Sequence, residues 1–242
     1  MKKFAAIATA CALALALAGC SSGESKEPAE QNQPATAQTQ QETKPQDLQT
    51  VESGYWLDDY GTAHFAAIIE NPNQSWAAEN IPVTVTVRDA GGTVLNTTND
   101  SITLMFPAGK TAISGSVSAP SGTASLEVSA KVNSNAWTKG DDVTQKSFYD
   151  LLPISGINET TDNYGGTTVA GEVTNNSEGT FSLTRVNVVW RDASGAIVGG
   201  DYTYLNGDFP AGSTQAFSTI SQEVPEHASV DAYLDCGFPL NR

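Results

Sequence analysis

The sequence is poor in the residues that most enzyme and metal chemistry uses. Its 242 residues include two histidines, His64 and His227, and three cysteines, Cys11, Cys20 and Cys236. No G-x-S-x-G nucleophile motif occurs, and no stretch has the D-x-D-x-D-G form of a calcium loop. Positive charge is scarce: 12 Lys and Arg stand against 27 Asp and Glu, a formal charge of -15. Nucleic acid is therefore excluded as a partner, because its binding requires Lys and Arg to neutralise phosphates. Long apolar runs are missing as well. The run from Phe4 to Leu17 falls short of the roughly 20 residues that a membrane-spanning helix needs.

That run is informative in another way. Lys2 and Lys3 precede it, and it ends in small residues, which is the form of a secretory signal. Its last residues, Leu17-Ala18-Gly19-Cys20, resemble the lipobox of bacterial lipoproteins. The resemblance implies a signal peptide over 1–19, a lipidated Cys20 and a location at the cell membrane, facing the extracytoplasmic side. The competing reading is an ordinary signal with an incidental cysteine. One acyl chain binds membranes marginally and two hold firmly; a lipobox cysteine carries at least two. Loss of the signal removes Lys2, Lys3 and Cys11 and takes the charge from -15 to -17. Such acidity repels anionic headgroups, so the lipid must anchor the chain. With Cys20 lipidated, only Cys236 remains, and an intramolecular disulfide is excluded.

Residues 20–50 are rich in Ser, Glu, Lys, Gln, Pro and Thr and have no aromatics. Such a segment buries too little apolar area to offset its ordering entropy. It is expected to be a disordered linker.

The remainder is a duplication. Arg88-Asp89-Ala90-Gly91-Gly92 recurs as Arg191-Asp192-Ala193-Ser194-Gly195, and Phe106-Pro107-Ala108-Gly109 as Phe209-Pro210-Ala211-Gly212. Ile69-Glu70-Asn71 matches Val173-Thr174-Asn175, one residue out of that register. A period near 100 residues is the size of a domain. Val83, Val85 and Val87 alternate with polar residues, and Val186, Val188 and Trp190 take the matching inward positions in the second copy; period-two alternation marks a half-buried strand. The expected fold is all-β: two tandem β-sandwich domains of about seven strands each, over 51–135 and 153–236, with a C-terminal tail over 237–242. The connecting segment 136–152 reads either as a strand-bearing linker or as a short helix.

Gly171-Glu172-Val173-Thr174-Asn175, Val188-Val189-Trp190-Arg191-Asp192 and Pro210-Ala211-Gly212 resemble the FxLYD-type domain, an immunoglobulin-like module of bacterial surface lipoproteins. The first copy departs from that pattern with Ala67 in place of Gly171, and both copies have Arg where the family has Tyr before Asp. The resemblance implies an immunoglobulin-like fold and a surface location, with no catalytic residues and no cofactor.

No catalytic or metal-binding residue is therefore assigned. Asp89, Gly92, Asp192 and Gly195 fit tight turns, and Asn71 and Asn175 fit strand ends. His64 alternates with Phe65, which places it on the outer face of its strand, solvated. Cys236 shares a face with core residues, and one His with one Cys is too few for a blue-copper site. The pairs Asp58-Asp59 and Asp141-Asp142 suit either calcium or solvated acidic loops. Trp56, Trp76, Tyr202 and Tyr204 are the aromatics that suit sugar stacking or a protein anchor. The function expected is a non-enzymatic interaction or scaffold module on a lipid anchor, with a protein or cell-wall partner unidentified. The alternative is capture of a small ligand such as a glycan or peptide.

Overall fold

The computed structural model describes residues 44–139, 144–220 and 222–240. The predicted signal over 1–19, Cys20, most of the predicted linker and the pair Asp141-Asp142 lie outside the described residues.

The first repeat contributes β1 (Gln49–Leu57), β2 (Thr62–Glu70), β3 (Trp76–Asp89), β4 (Val94–Met105), β5 (Lys110–Ser118), β6 (Thr123–Ala130) and β7 (Trp137–Lys139). A five-residue helix, α1 (Gln145–Tyr149), follows; Thr144 caps it in a capping box with Ser147. The second repeat contributes β8 (Ile154–Thr161), β9 (Thr167–Thr174), β10 (Arg185–Arg191), β11 (Ile197–Tyr204), β12 (Thr214–Ser218) and β13 (Ser229–Asp235). The connecting segment is thus both things at once, a strand that pairs with β3 and a short helix. Order also starts earlier than residue 51. Leu48 is buried in the core, and Gln46 exchanges hydrogen bonds with the Asn73 side chain at 2.7 and 2.9 Å. Nor is the tail after 236 free, since Phe238 packs edge-on against Phe106.

Four hairpins turn by one device. In Asp58-Asp59-Tyr60-Gly61-Thr62, the Asp58 carboxylate accepts from the backbone N–H groups of Tyr60 and Thr62 at 2.9 and 2.7 Å. Asp89, Asp162 and Asp192 accept in the same way from the residues two and four positions on. The fourth residue of every turn is glycine with φ between +79° and +87°, a region that costs glycine no Cβ clash. These bonds favour the ionised carboxylates. At Asp89 the Thr93 N–H, and at Asp192 the Ser194 hydroxyl, leads the causes that hold the pKa below the ordinary value.

The recurring asparagines are buried staples rather than simple strand ends. Asn71 donates to the carbonyls of Trp76 and Phe106 at 2.7 and 2.9 Å and accepts from the Asn73 N–H. Asn175 does the same with Gly179, Phe209 and Ser177. Each thereby ties the loop after β2 or β9 to the Phe-Pro-Ala-Gly element. Asn175→Ala leaves the Ser177 N–H without its acceptor and the Gly179 carbonyl with only a long bond from the Ser177 hydroxyl, while the Phe209 carbonyl keeps the Phe181 N–H. The expected loss is about 2 kcal/mol, in line with unsatisfied buried groups. Urea unfolding checks this, and a loss under about 0.5 kcal/mol contradicts the staple.

The fold is an all-β antiparallel sandwich stack. Among the described residues four sheets run β1-β2-β5, β4-β3-β6 with β7 beside β3, β11-β10-β13 and β12-β9-β8. In the first repeat Phe65, Ile69 and Ile113 of one sheet meet Val83, Val85 and Val87 of the other. In the second, Val169 packs with Val188 and Trp190, and Val173 and Phe217 with Val186. The repeats then stack on each other. Ala66, Ile68 and Ala112 of β2 and β5 pack against Val189 and Ile197 of β10 and β11. Gly200 and Gly54 permit this approach, since a Cβ on Gly200 would lie 2.6 Å from Ala66 Cβ and one on Gly54 would meet the Ile197 backbone.

The stack stops at two repeats for a sequence reason. The docking face of β2 presents Ala66 and Ile68, but the equivalent face of β9 presents Ala170 and the exposed Glu172. Likewise, Val189 on β10 corresponds to Thr86 on β3, and Gly200 to Thr97. The outer faces are therefore polar caps, as terminal repeats of stacked arrays require.

Candidate functional site

The most site-like feature lies along the seam between the repeats. In the first repeat, β4 and β5 are edge strands of facing sheets, so the sandwich is open between them. Gly115 leaves space between Phe65 and Tyr202 of the second repeat, since a Cβ there would lie 3.5 Å from the Phe65 ring and 3.6 Å from that of Tyr202. The result is a groove of about 210 Å³ lined by Phe65, Thr98, Asn99, Asp100, Ser116, Arg185, Tyr202 and Tyr204.

Arg185 organises it. The residue is 3% exposed. Its Nη1 donates to both Asp100 oxygens, at 2.9 and 3.0 Å, and its Nη2 donates to the Ser114 carbonyl. The guanidinium carbon stands 3.9 Å from the centroid of the Tyr202 ring, a cation–π contact. Tyr204 meets Tyr202 edge to face at 5.9 Å between centroids. Tyr202 and Tyr204 are 40% and 47% exposed.

Behind the groove the interface is polar and buried. The Ser114 N–H donates to the Asn187 side chain at 3.2 Å, and its hydroxyl donates to the Asp201 carbonyl at 2.6 Å. Burial raises the Asp201 carboxyl pKa, against the Tyr202 N–H and the charges of His64 and Arg185. Further along, Asp235 of β13 accepts from the Thr103 N–H and hydroxyl of β4, at 2.9 and 3.1 Å. At the far end Arg191 binds Glu52 of the first repeat and Asp231 of its own.

The predicted aromatics are dispersed. Tyr202 and Tyr204 share the groove. Trp56 is half-buried and stacks on His64, with ring centroids 5.1 Å apart. Trp76 is half-buried beside β7, with Lys139 over its ring. His64 is not a solvated strand residue as expected. Its side chain is 12% exposed and pairs with Asp58 at 3.3 Å, because the outer face of β2 is the face that the second repeat covers. His227 pairs with Glu159 at 2.9 Å and not with Cys236. Glu159 also accepts from Trp190 Nε1. Cys236 packs in the core, where burial and then Asp235 push its thiol up to about 12, so it stays protonated. Among the described residues no three His, Cys, Asp or Glu side chains cluster as a metal site does.

Arg185, Asp100 and Asn99 were not singled out by motif or spacing. The signal that finds them is departure from the repeat. By register, Arg185 stands where the first copy has Pro82, Tyr202 where it has Asn99, and Tyr204 where it has Ser101. The residues that build turns and staples recur, and those that build the groove do not.

No family model matches the chain, and no curated protein matches it. Solved structures with some similarity include the complex of an exo-chitosanase from Amycolatopsis orientalis with PNP-beta-D-glucosamine. The identity is 12% and the TM-score 0.16, over 64% of this chain. The chain spans 22% of that protein's length.

Proposed function

We propose that the chain is a lipid-anchored extracytoplasmic lipoprotein whose folded part is a non-enzymatic interaction module. The observation that carries the second half is the buried face between the repeats. It joins four sheets into one stack, holds Arg185, Asn187 and Asp235 inside it, and leaves polar caps at both ends. A stack of this kind presents surface in a fixed arrangement. The titratable groups that catalysis would need are spent on structure: His64 on Asp58, His227 on Glu159, Asp235 on Thr103. The first half rests on Leu17-Ala18-Gly19-Cys20.

Anchoring has a direct test. Cys20→Ala is expected to abolish acylation and to release the protein from the membrane fraction or leave it uncleaved, read by metabolic labelling with a fatty acid and by fractionation. Unchanged processing and retention contradict the lipoprotein reading. For the interaction role, crosslinking in intact cells is expected to recover protein or cell-wall material beyond what a lipobox-only control recovers. The seam groove favours the second reading, small-ligand capture.

A further inference from the structure

We propose that the groove under Tyr202 and Tyr204 binds a neutral saccharide, one sugar ring deep. This deepens the small-ligand reading and is independent of the anchor.

Size is the first argument. The groove holds about 210 Å³, below the roughly 300–1,000 Å³ of pockets for drug-sized ligands, and enough for a single pyranose. Chemistry is the second. Thr98, Asn99, Asp100 and Ser116 supply hydroxyl, amide and carboxylate groups along the first-repeat side, and on the other Tyr204 supplies aromatic surface beside the edge of Tyr202, whose ring face Arg185 covers. A sugar ring is the ligand that presents hydroxyls at its edge and C–H groups on its face. Arg185 consumes only part of the carboxylate, since Asp100 offers about four lone-pair positions and its side chain stays 27% exposed.

Charge is the third. Asp100 and Arg185 cancel, so the lining carries no net charge with which to select an ion, and the overall charge of -15 opposes an anion. A peptide is disfavoured because the lining has no deep apolar pocket, and the edge strands that flank it already bond their outward N–H groups at Ser101, Thr103 and Ser114 to side chains.

Preorganisation is the fourth. Buried Arg185 fixes the Asp100 carboxylate and the Tyr202 ring before any ligand arrives. Ligand binding then orders little, which is where affinity is otherwise lost. Tyr202 and Tyr204 also depart from the repeat, standing where the first copy has Asn99 and Ser101, so the sandwich common to both copies does not require them.

The test is saturation-transfer NMR and calorimetry on the full-length protein. Neutral tetrasaccharides (cellotetraose, maltotetraose, xylotetraose and chitotetraose in its N-acetylated form) are compared with an anionic oligogalacturonate and with mixed tetrapeptides. At least one neutral saccharide is expected to bind with Kd on the order of 0.1–1 mM. Tyr204→Ala is expected to weaken it about tenfold, the fold-change of one lost aromatic contact. Because Tyr204 is half exposed and loses one edge-to-face contact with Tyr202, the variant should stay folded with only a small fall in its unfolding midpoint. Asn99→Ala, on an exposed edge, is the second variant and should also weaken binding. Absence of binding by every neutral saccharide at about 10 mM overturns the proposal. So does binding that both variants retain, or binding by the peptides or the anion alone. None of these outcomes touches the lipoprotein reading, which Cys20→Ala decides.

Discussion

Arg185→Met is expected to cost about 3–5 kcal/mol of folding stability, the range for breaking a buried ion pair by removing one partner. The guanidinium sits at the junction of both repeats, held by Asp100, the Ser114 carbonyl and the Tyr202 ring. Its removal leaves the Asp100 carboxylate without its cation and one buried carbonyl without its donor. The 27% exposure of Asp100 admits some water, which favours the lower end of that range. The double variant Arg185→Met with Asp100→Asn is expected to recover at least about 1.5 kcal/mol, since removing both charges also removes the unpaired one. Urea unfolding followed by tryptophan fluorescence measures both. Because the repeats share this contact, a single transition is expected. A loss under about 1 kcal/mol in the single variant, or no recovery in the double, contradicts the role assigned to Arg185.

The same residue marks where the sequence was legible and where it was not. The all-β sandwich could be read because alternation in Val83-Val85-Val87 reports a strand with one buried and one exposed face. Turn chemistry could be read because Asp and Gly act locally: Asp89 and Asp192 bond to groups within four residues. The stacking of one repeat on the other is long-range, and motif and spacing did not expose it. Its trace was nonetheless present in composition. Phe65-Ala66-Ala67-Ile68-Ile69 and Val186-Asn187-Val188-Val189-Trp190 are nearly continuous apolar runs, buried on both faces. A strand with two buried faces needs a layer on each side. His64 was misplaced for this reason, since the outer face of β2 is outer only for an isolated domain. The groove was half legible. Tyr202 and Tyr204 stood out as aromatics on one face, but their companions Asp100 and Asn99 are about 100 residues earlier and are joined to them only by the stacking.

The second large effect is on pH dependence. Stability is expected to rise as pH falls from 8 to about 5, the reverse of ordinary acid denaturation. Asp235 is 3% exposed, and burial raises its carboxyl from 3.8 to about 6, against the Thr103 hydrogen bonds and the Arg185 charge. The folded state therefore holds a proton through a window in which the unfolded chain has released it. That stabilisation is complete below about 3.8 and is lost as pH rises through about 6. At ~1.4 kcal/mol per pH unit, the difference is about 3 kcal/mol. His227 acts in the same direction. Burial lowers its pKa, but Glu159 and the Pro225 carbonyl outweigh that and raise it above 6.5, so its contribution is lost as pH climbs past the raised value. Asp58, Asp89 and Asp192 are lowered and act oppositely, with stability lost only as pH falls below 3.8. The two windows meet near 3.8, and an optimum at about pH 4 follows. Asp235→Asn separates the leading cause from the rest. The amide oxygen can still accept from the Thr103 N–H, and the Thr103 hydroxyl can turn to accept from the new NH2. At pH 8 this variant is expected to be more stable than the parent by about 2–3 kcal/mol, with His227 and Asp201 leaving a shallow residual slope. Chemical unfolding across pH 4.5–8.5 measures it. A parent protein equally stable at pH 5.5 and 8, or an Asn variant weaker than the parent at pH 8, contradicts a carboxyl held protonated between the repeats.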